Sequence, residues 1–440
     1  MTHPQDLSLR HQASHLATGE LDPRELLAAT LARIDERDGA LNSIAASFAD
    51  ESARMLAQAP PGPLYGVPVA IKDMFQLPWR GPRDGSAEEH LPAGESALYR
   101  RLRDAGAVIV AVTNMHLYGA GTTGEVSAYG PVANPWDPER CGGGSSGGSA
   151  AAVGARLVGG AVGTDGGGSV RLPAAYCGIT GLKPTFAATP VEGYTHAYTT
   201  MGVAGPMCRD AADTRLLAET LIDRPLPKGD GSRLRAGVVS SPFWDDLDPD
   251  VERSCRATLE ASGWPVEDVT LPGAEHALIA SVLRLTMESL PAIRLDQLQE
   301  LDPLTRALIK YELVIPARSL MRADRVRTLL RRSAEAAFDS VDLLVWPTVP
   351  APAPRIDNPT IELPSGLLPA DVGNVRQAGF GNLCGLPGIS TPVGQHPSGV
   401  PIGLQLHARW GGEALLLDAA EQIERATGRR HVDAVPVIAR

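Results

Sequence analysis

Two apolar runs in the first third of the chain have the length and composition of buried strands. GVPVAIKDMF spans 66–75 and AGAVIVAVT spans 105–113, and each ends in polar residues. Apolar residues at consecutive positions, rather than at every second one, are typical of strands that are buried on both faces of a sheet. Two shorter runs, RAGVVS at 235–240 and DLLVWPT at 342–348, predict further strands.

Helical patterns occur between and after these runs. Asp22, Pro23 and Glu25 supply an N-cap, a first-turn proline and a capping-box spacing, which predict a helix over DPRELLAATLARIDER. The alanine-rich segment SAAAVGARL and the spacing of apolar residues over 249–262 and 413–427 predict further helices.

Glycine-rich and proline-rich segments separate these elements. The segment 158–165 is short and apolar, and GGGSVRLPAAYCGITG at 166–181 indicates glycine-rich turns. The proline-rich segment at 348–366 predicts an ordered surface loop. Strands that alternate with helices, with no internal repeat and no clear linker, favour an α/β fold around an interior sheet.

Charge and cysteine usage narrow the class of partner. The net charge is -11 over 440 residues and no long Lys/Arg run occurs, which opposes a nucleic-acid partner and favours a small molecule. Five widely spaced cysteines without CxxC spacing fit a reducing cytoplasm and no metal site. The longest apolar run has eight residues, 105–112, so we expect neither a signal peptide nor a membrane span.

Adjacent serines stand among glycines in RCGGGSSGGSAAAVGA at 140–155. Gly142, Gly144 and Gly147 fit the dinucleotide pattern GxGxxG, with Asp165 about 20 residues further on. The preceding NPWDPERC contains two prolines and does not form the buried strand which that motif requires. A phosphate-binding P-loop needs a lysine that this segment lacks. Alternatively, the segment has no catalytic or binding role and is a tight turn in which glycines adopt positive φ angles.

Five segments together resemble the amidase signature family, in the family's order and spacing. They are LYGVPVAIKDMF, TNMHLYGAGTTGEVSAYGPVANPWDPERCGGGSSGGSAAAVGA, GTDGGGSVRLPAAYCGITGLKPT, NLCGLPGISTPVG and PIGLQLH. The resemblance implies one α/β domain over 1–440, with a mixed, mostly buried β-sheet covered by helices and a signature core at about 64–215.

The resemblance also implies a catalytic triad. The family's nucleophile falls on Ser169, its cis-serine on Ser145 and its lysine on Lys72, so Ser145 is expected to relay a proton after a cis peptide bond. Ser146 is then only a neighbour. No cofactor and no metal are implied.

A lysine base has to be neutral, whereas an exposed lysine is protonated at pH 7. Lys72 ends the apolar run VPVAI, and burial there would disfavour its charged form. The alternative is that Lys72 is structural and forms an ion pair with the adjacent Asp73. Of the ten histidines, His3, His11, His15 and His90 lie in polar contexts outside the resembling motifs, which disfavours a Ser/His/Asp triad.

The glycines before Ser169 are candidates for an oxyanion hole, because backbone N–H groups of Gly166, Gly167 and Gly168 are not shielded by side chains. The family more often has Thr, Ser or Ile at Gly166. Asp165 and Arg171 flank this turn, and their counterparts in the family orient the loop.

Three other candidates remain. His116, Cys141 and Cys177 could form a metal or thiol site, but their irregular spacing favours packing. Substrate specificity is expected in two segments. The first consists of Gly119, Ala120, Gly121 and Thr122, and the second is 191–202, where Tyr194, His196 and Tyr198 either line a pocket or pack a surface.

The sequence therefore predicts a cytoplasmic hydrolase that cleaves a small-molecule amide through an acyl-enzyme, with a homodimer left open. One alternative is the glutaminase-type A subunit of a tRNA-dependent amidotransferase. In that branch TNM is typically followed by Asp-Glu-Phe, whereas this chain has His116, Leu117 and Tyr118. A second alternative, a non-catalytic binding protein on the same scaffold, is opposed by the presence of all three triad residues.

Overall fold

The computed structural model describes residues 3–195, 199–289, 298–299, 303–428, 436 and 438. The strands within them are β1 Ile44–Ser47, β2 Pro68–Lys72, β3 Val108–Thr113, β4 Gly160–Asp165, β5 Thr180–Lys183, β6 Val203–Cys208, β7 Ala236–Val238, β8 Val266–Asp268, β9 Leu343–Pro347, β10 Thr360–Leu363, β11 Gly366–Pro369, β12 Gly388–Gln395 and β13 Pro401–His407. The α-helices are α1 Leu9–Thr18, α2 Pro23–Arg37, α3 Ala49–Gln58, α4 Ala97–Asp104, α5 Gly147–Gly154, α6 Arg171–Cys177, α7 Ala211–Ile222, α8 Ser240–Phe243, α9 Pro249–Ser262, α10 Ala277–Ser289, α11 Pro303–Glu312, α12 Ala317–Ala337, α13 Ala370–Cys384 and α14 Glu413–Ala426.

Eleven of these strands form one mixed sheet in the order β1-β3-β2-β4-β6-β5-β12-β13-β9-β7-β8, while β10 and β11 form a separate hairpin. β2 pairs in parallel with β3 and β4, and β7 pairs in parallel with β8 and β9. The remaining neighbours in the large sheet are antiparallel. The predicted α/β class with a mixed, helix-covered sheet is confirmed.

The two apolar runs of the first third are central strands, as predicted. Every residue of β2 and β3 is buried, because the sheet has neighbouring strands and covering helices around both. β2 and β4 run in parallel, so their carboxyl ends meet at one edge of the sheet. Lys72 ends β2 and Asp165 ends β4, which brings the two predicted site segments together.

Local capping explains the predicted helix near the N-terminus. The Asp22 carboxylate accepts a hydrogen bond from the Arg24 N–H, and Pro23 occupies the first turn, where no N–H donor is needed. The helix α2 extends to Arg37. The predictions at 249–262 and 413–427 are confirmed by α9 and α14.

Two local predictions were wrong. Residues 171–177 form the buried helix α6 rather than turns, because Pro173 lies in the first turn and Gly178, at φ 72°, ends the helix in the left-handed region. The first part of the proline-rich segment is buried, not a surface loop. Val349 and Ala353 pack there against residues of α6, since the small side chains between the prolines fit a close contact.

Two hydrophobic clusters make up most of the core. The first core cluster surrounds β2, β3 and β4 and includes Val69, Val110, Cys177 and Cys208. The second core cluster surrounds β9, β12 and β13 and includes residues such as Trp346, Cys255 and Cys384. All five cysteines are buried and have free thiols. Among the described helices, none is both long enough and apolar enough to cross a bilayer.

Candidate active site

Lys72 lies fully buried at the carboxyl end of β2. Its Nζ is 2.6 Å from Ser145 Oγ and 2.8 Å from Thr164 Oγ1, on the neighbouring strand β4. Burial lowers the pKa of Lys72 to about 7, although the carboxylates of Asp84 and Asp165 oppose this shift. A substantial fraction of this amine is therefore neutral at pH 7 and able to accept a proton.

Asp73 does not pair with Lys72, so that alternative for the lysine is wrong. The Asp73 carboxylate instead forms an ion pair with Arg80 at 2.6 Å and accepts a hydrogen bond from the Arg83 N–H. Successive residues along a strand point in different directions, so the Lys72 and Asp73 side chains have different neighbours.

Ser145 follows a cis peptide bond from Gly144, as the family resemblance implied. A side chain at Gly144 would not fit, because its Cβ would lie 2.7 Å from the carbonyl oxygen of Gly121. The next residue, Ser146, uses its hydroxyl to bridge the N–H and the carbonyl oxygen of Thr164. Ser146 thus anchors the serine segment to β4 and does not contact Lys72 through a hydrogen bond.

Ser169 lies in the turn between β4 and α6, and 7% of its surface is exposed. Its carbonyl oxygen accepts a hydrogen bond from the Ser146 N–H at 3.3 Å, which joins the two serine segments. Within the described residues, no hydrogen bond is made by the Ser169 hydroxyl. The structure therefore shows the contact from Lys72 to Ser145 directly, whereas a hydrogen bond from Ser145 to Ser169 is not formed.

The glycine turn differs in one respect from the sequence prediction. The Gly168 N–H donates to the Asp165 carboxylate at 2.8 Å, so it is already occupied. The N–H groups of Gly166, Gly167 and Ser169 have no hydrogen-bond partner in the part of the chain that the structure describes. These three donors, rather than the Gly168 N–H, are available to bind an oxyanion.

Asp165 and Arg171 form a fully buried ion pair that shapes this turn. Besides Gly168, the Asp165 carboxylate accepts hydrogen bonds from the N–H groups of Val170 and Arg171. Burial alone would raise the pKa of Asp165, but the Arg171 guanidinium outweighs it and holds that pKa well below its usual range. The carboxylate is therefore ionised and keeps its acceptor positions.

Three residues that the sequence analysis did not assign complete this network. Asn382 on α13 donates to Asp165 at 2.8 Å and accepts from Arg171 at 2.6 Å. Gln405 on β13 accepts from Arg171 at 2.8 Å, and His407 lies next to both. Asn382 is the first residue of NLCGLPG, and Gln405 and His407 lie in PIGLQLH. The sequence pointed to these three residues only because they belong to the resembling motifs.

The first predicted specificity segment lies against the serine segment. Gly121 contributes the carbonyl oxygen that limits the space at Gly144, and Thr122 is buried beside α13. Gly119 is buried and Ala120 partly exposed. The structure therefore places residues 119–122 at one wall of the triad region.

The second predicted specificity segment is only partly described. Tyr194 is buried and stacks on Phe75 with ring centroids 5.1 Å apart, whereas His196 and Tyr198 lie outside the described residues. Thr200 is held from two helices. Its N–H and hydroxyl donate to Glu288 on α10, and its carbonyl oxygen accepts from Arg327 on α12 at 2.8 Å.

The described residues contain one group with the geometry of metal ligands, formed by Asp248, Asp250 and His396. Asp248 caps α9 through the N–H groups of Asp250 and Val251, and Asp250 pairs with Arg253, so each carboxylate has a structural role. His116, Cys141 and Cys177 do not form such a group.

Comparisons with known proteins identify relatives of the whole chain and of its fold. A family model described as Amidase matches residues 25–417. The chain is 35% identical to the A subunit of the glutamyl-tRNA(Gln) amidotransferase of Chromohalobacter salexigens, with 96% of this chain and 97% of that protein covered. It also superimposes on the crystal structure of an amidase with TM-score 0.89 and 29% identity, covering 95% of this chain and 99% of that one. A 6-aminohexanoate cyclic dimer hydrolase gives TM-score 0.83 and 26% identity, with 99% of this chain and 100% of that one covered.

Proposed function

This chain belongs to the amidase signature family, whose enzymes act on amide C–N bonds, and we propose that it cleaves a small-molecule carboxamide through an acyl-enzyme on Ser169. The observation that carries the proposal is the 2.6 Å contact between Ser145 Oγ and the Nζ of a fully buried lysine whose pKa is lowered to about 7. Such a lysine serves no evident structural purpose as a cation, because no carboxylate among the described residues forms an ion pair with it.

In the acylation step, neutral Lys72 accepts the proton of the Ser145 hydroxyl, and Ser145 accepts the proton of the Ser169 hydroxyl. Ser169 Oγ then forms a bond to the carbonyl carbon of the amide. The N–H groups of Gly166, Gly167 and Ser169 are the donors we assign to the resulting oxyanion. No cofactor or metal enters this sequence of steps.

Collapse of the tetrahedral intermediate breaks the C–N bond. The proton held by Lys72 returns through Ser145 to the leaving nitrogen, which departs as ammonia or an amine. Water then attacks the acyl-enzyme, loses its proton along the same route, and releases the carboxylic acid and free Ser169. Asp165 and Arg171 contribute by holding the turn that carries the nucleophile and the donors.

A second candidate function uses the same chemistry in another setting, as the glutaminase-type A subunit of a tRNA-dependent amidotransferase. The curated relatives favour this setting over a free-standing hydrolase, because those at 35% identity are A subunits of that enzyme. His116, Leu117 and Tyr118 in place of Asp-Glu-Phe are the observation that favours a free-standing hydrolase. In the second setting, ammonia released at Ser169 passes to partner subunits instead of to solvent.

Covalent labelling tests the proposed nucleophile. A fluorophosphonate should add one adduct to the purified chain, and peptide mapping should place it on Ser169. Ser169→Ala should abolish both the adduct and turnover. Ser146→Ala is the matched control, because Ser146 is adjacent to the relay but its hydroxyl hydrogen-bonds to the backbone of Thr164 and not to Lys72. Labelling of Ser169 should persist in that variant, and an adduct on any other residue would contradict the assignment.

A further inference from the structure

His116 contacts the serine segment through its backbone. It is buried, and its N–H donates to the carbonyl oxygen of Ser145 at 3.1 Å. That carbonyl belongs to the residue whose hydroxyl contacts Lys72. His116 is therefore one hydrogen bond away from the proposed proton relay, although its side chain points elsewhere.

The imidazole of His116 supports the loop 119–124. Its Nδ1 accepts a hydrogen bond from the Gly124 N–H at 3.2 Å and lies 3.7 Å from the Glu125 carboxylate. Gly121 lies directly on the ring, since a Cβ there would be only 2.1 Å from Cε1. The loop can approach this closely only because residue 121 has no side chain.

The same loop is also held by α13. The Asp371 carboxylate accepts hydrogen bonds from both the N–H and the hydroxyl of Thr122, each at 2.6 Å. Asn374, one turn further along α13, donates to the Thr122 hydroxyl at 3.0 Å. The loop is thus held both by the His116 imidazole and by side chains of α13.

We propose that His116 is a positioning residue that sets the distance between the loop 119–124 and Ser145, and through it the width of the acyl site. The backbone contact holds Ser145, the side-chain contact holds the loop, and the Gly121 carbonyl closes the gap at Gly144. This proposal rests on the proposed amidase function for its effect on substrate.

Two substitutions separate positioning from mere packing. His116→Leu keeps much of the volume but leaves the buried Gly124 N–H without an acceptor, which should lower kcat/KM for amides by at least about tenfold. Most of that loss should appear in KM. His116→Asn places an oxygen near the position of Nδ1 and should stay within about threefold of the wild-type enzyme. Fluorophosphonate labelling of Ser169 should remain close to wild type in both, because the triad is untouched.

A double-mutant cycle tests the contact with the ring. Gly121→Ala should lower kcat/KM because the new methyl displaces the imidazole, and combining it with His116→Asn should cost less than the sum of the single effects. Strictly additive losses would show that residue 121 and the ring at position 116 do not act together.

Hydrogen exchange gives a readout that needs no substrate. Peptides covering 119–124 should exchange faster in His116→Leu than in wild type or His116→Asn, since the Gly124 N–H loses its acceptor. Unchanged exchange together with an unchanged KM would overturn the positioning role. A wild-type chain that cleaves no amide and takes no phosphonate would instead refute the proposed function, and exchange would still decide the role of His116.

Discussion

At the scale of single residues, the central feature is a fully buried lysine that forms no ion pair with a carboxylate in the described part of the chain. Its place at the end of an apolar run could be predicted from the sequence, because VPVAI leaves little choice about burial. The groups that contact the Lys72 amine could not be predicted. Thr164 lies 92 positions away and gives no local signal, yet its hydroxyl and that of Ser145 are the two groups that accept from Lys72.

The pH dependence of acylation should report this residue. Because the protonated amine cannot accept a proton, kcat/KM should fall below a pKa of about 7, by about tenfold per pH unit at lower pH. The activity should be retained above that pKa, where the amine is neutral. Steady-state rates measured from pH 5 to 9 with a neutral amide substrate would show this limb.

Lys72→Arg tests the same point by substitution. Arginine retains a positive charge and is not deprotonated in proteins, so acylation should fall below about 1% of the wild-type rate. Lys72→Ala should be equally inactive. If the arginine variant kept a tenth of wild-type acylation, Lys72 would be structural and the proton of Ser169 would leave by another route.

At the scale of elements, the connection from β4 through the glycine turn to α6 carries the proposed nucleophile and the proposed oxyanion donors. The apolar character of 158–165 is evident in the sequence, but neither β4 nor α6 was predicted there, because glycine and proline are frequent in this region and the composition indicates turns. Nor did any local pattern indicate that Asn382 and Gln405, more than 200 residues further along, would complete the hydrogen bonds of Asp165 and Arg171.

Removing the charge of Asp165 should expose how much the turn depends on the buried pair. Asp165→Asn leaves the Arg171 guanidinium buried without its counter-charge, and the free energy of unfolding should fall by about 3–5 kcal/mol. Asp339→Asn, which breaks an exposed pair with Arg409, is the matched control and should cost less than about 1 kcal/mol. Urea denaturation followed by circular dichroism would compare them, and equal losses would contradict a special role for the buried pair.

At the scale of the whole molecule, the eleven-stranded sheet brings residues 72, 145, 165 and 405 to one region of a single chain. The overall class could be predicted because long apolar strands and the order of the motifs are properties of the sequence. The pairing order of the strands could not, since antiparallel neighbours such as β5 and β12 are separated by about half of the chain.

The tripeptide that follows TNM leads to a prediction about assembly. The purified protein should release ammonia or an amine from at least one small amide without added subunits, because His116, Leu117 and Tyr118 stand where the amidotransferase branch has Asp-Glu-Phe. A panel of amides with ammonia detection would measure this. Turnover that appeared only after addition of partner subunits would contradict a free-standing hydrolase and support the second candidate function.

Four of the five buried thiols can be used to measure how the protein unfolds. Cys177 and Cys208 belong to the first core cluster, and Cys255 and Cys384 belong to the second, so each half of the interior contains two chemical reporters. Burial raises the pKa of all four thiols, which keeps them in the unreactive protonated form while the core is closed. A thiol reagent therefore modifies them only in molecules that have opened, and the order in which the two pairs react distinguishes a protein that opens half by half from one that opens as a unit.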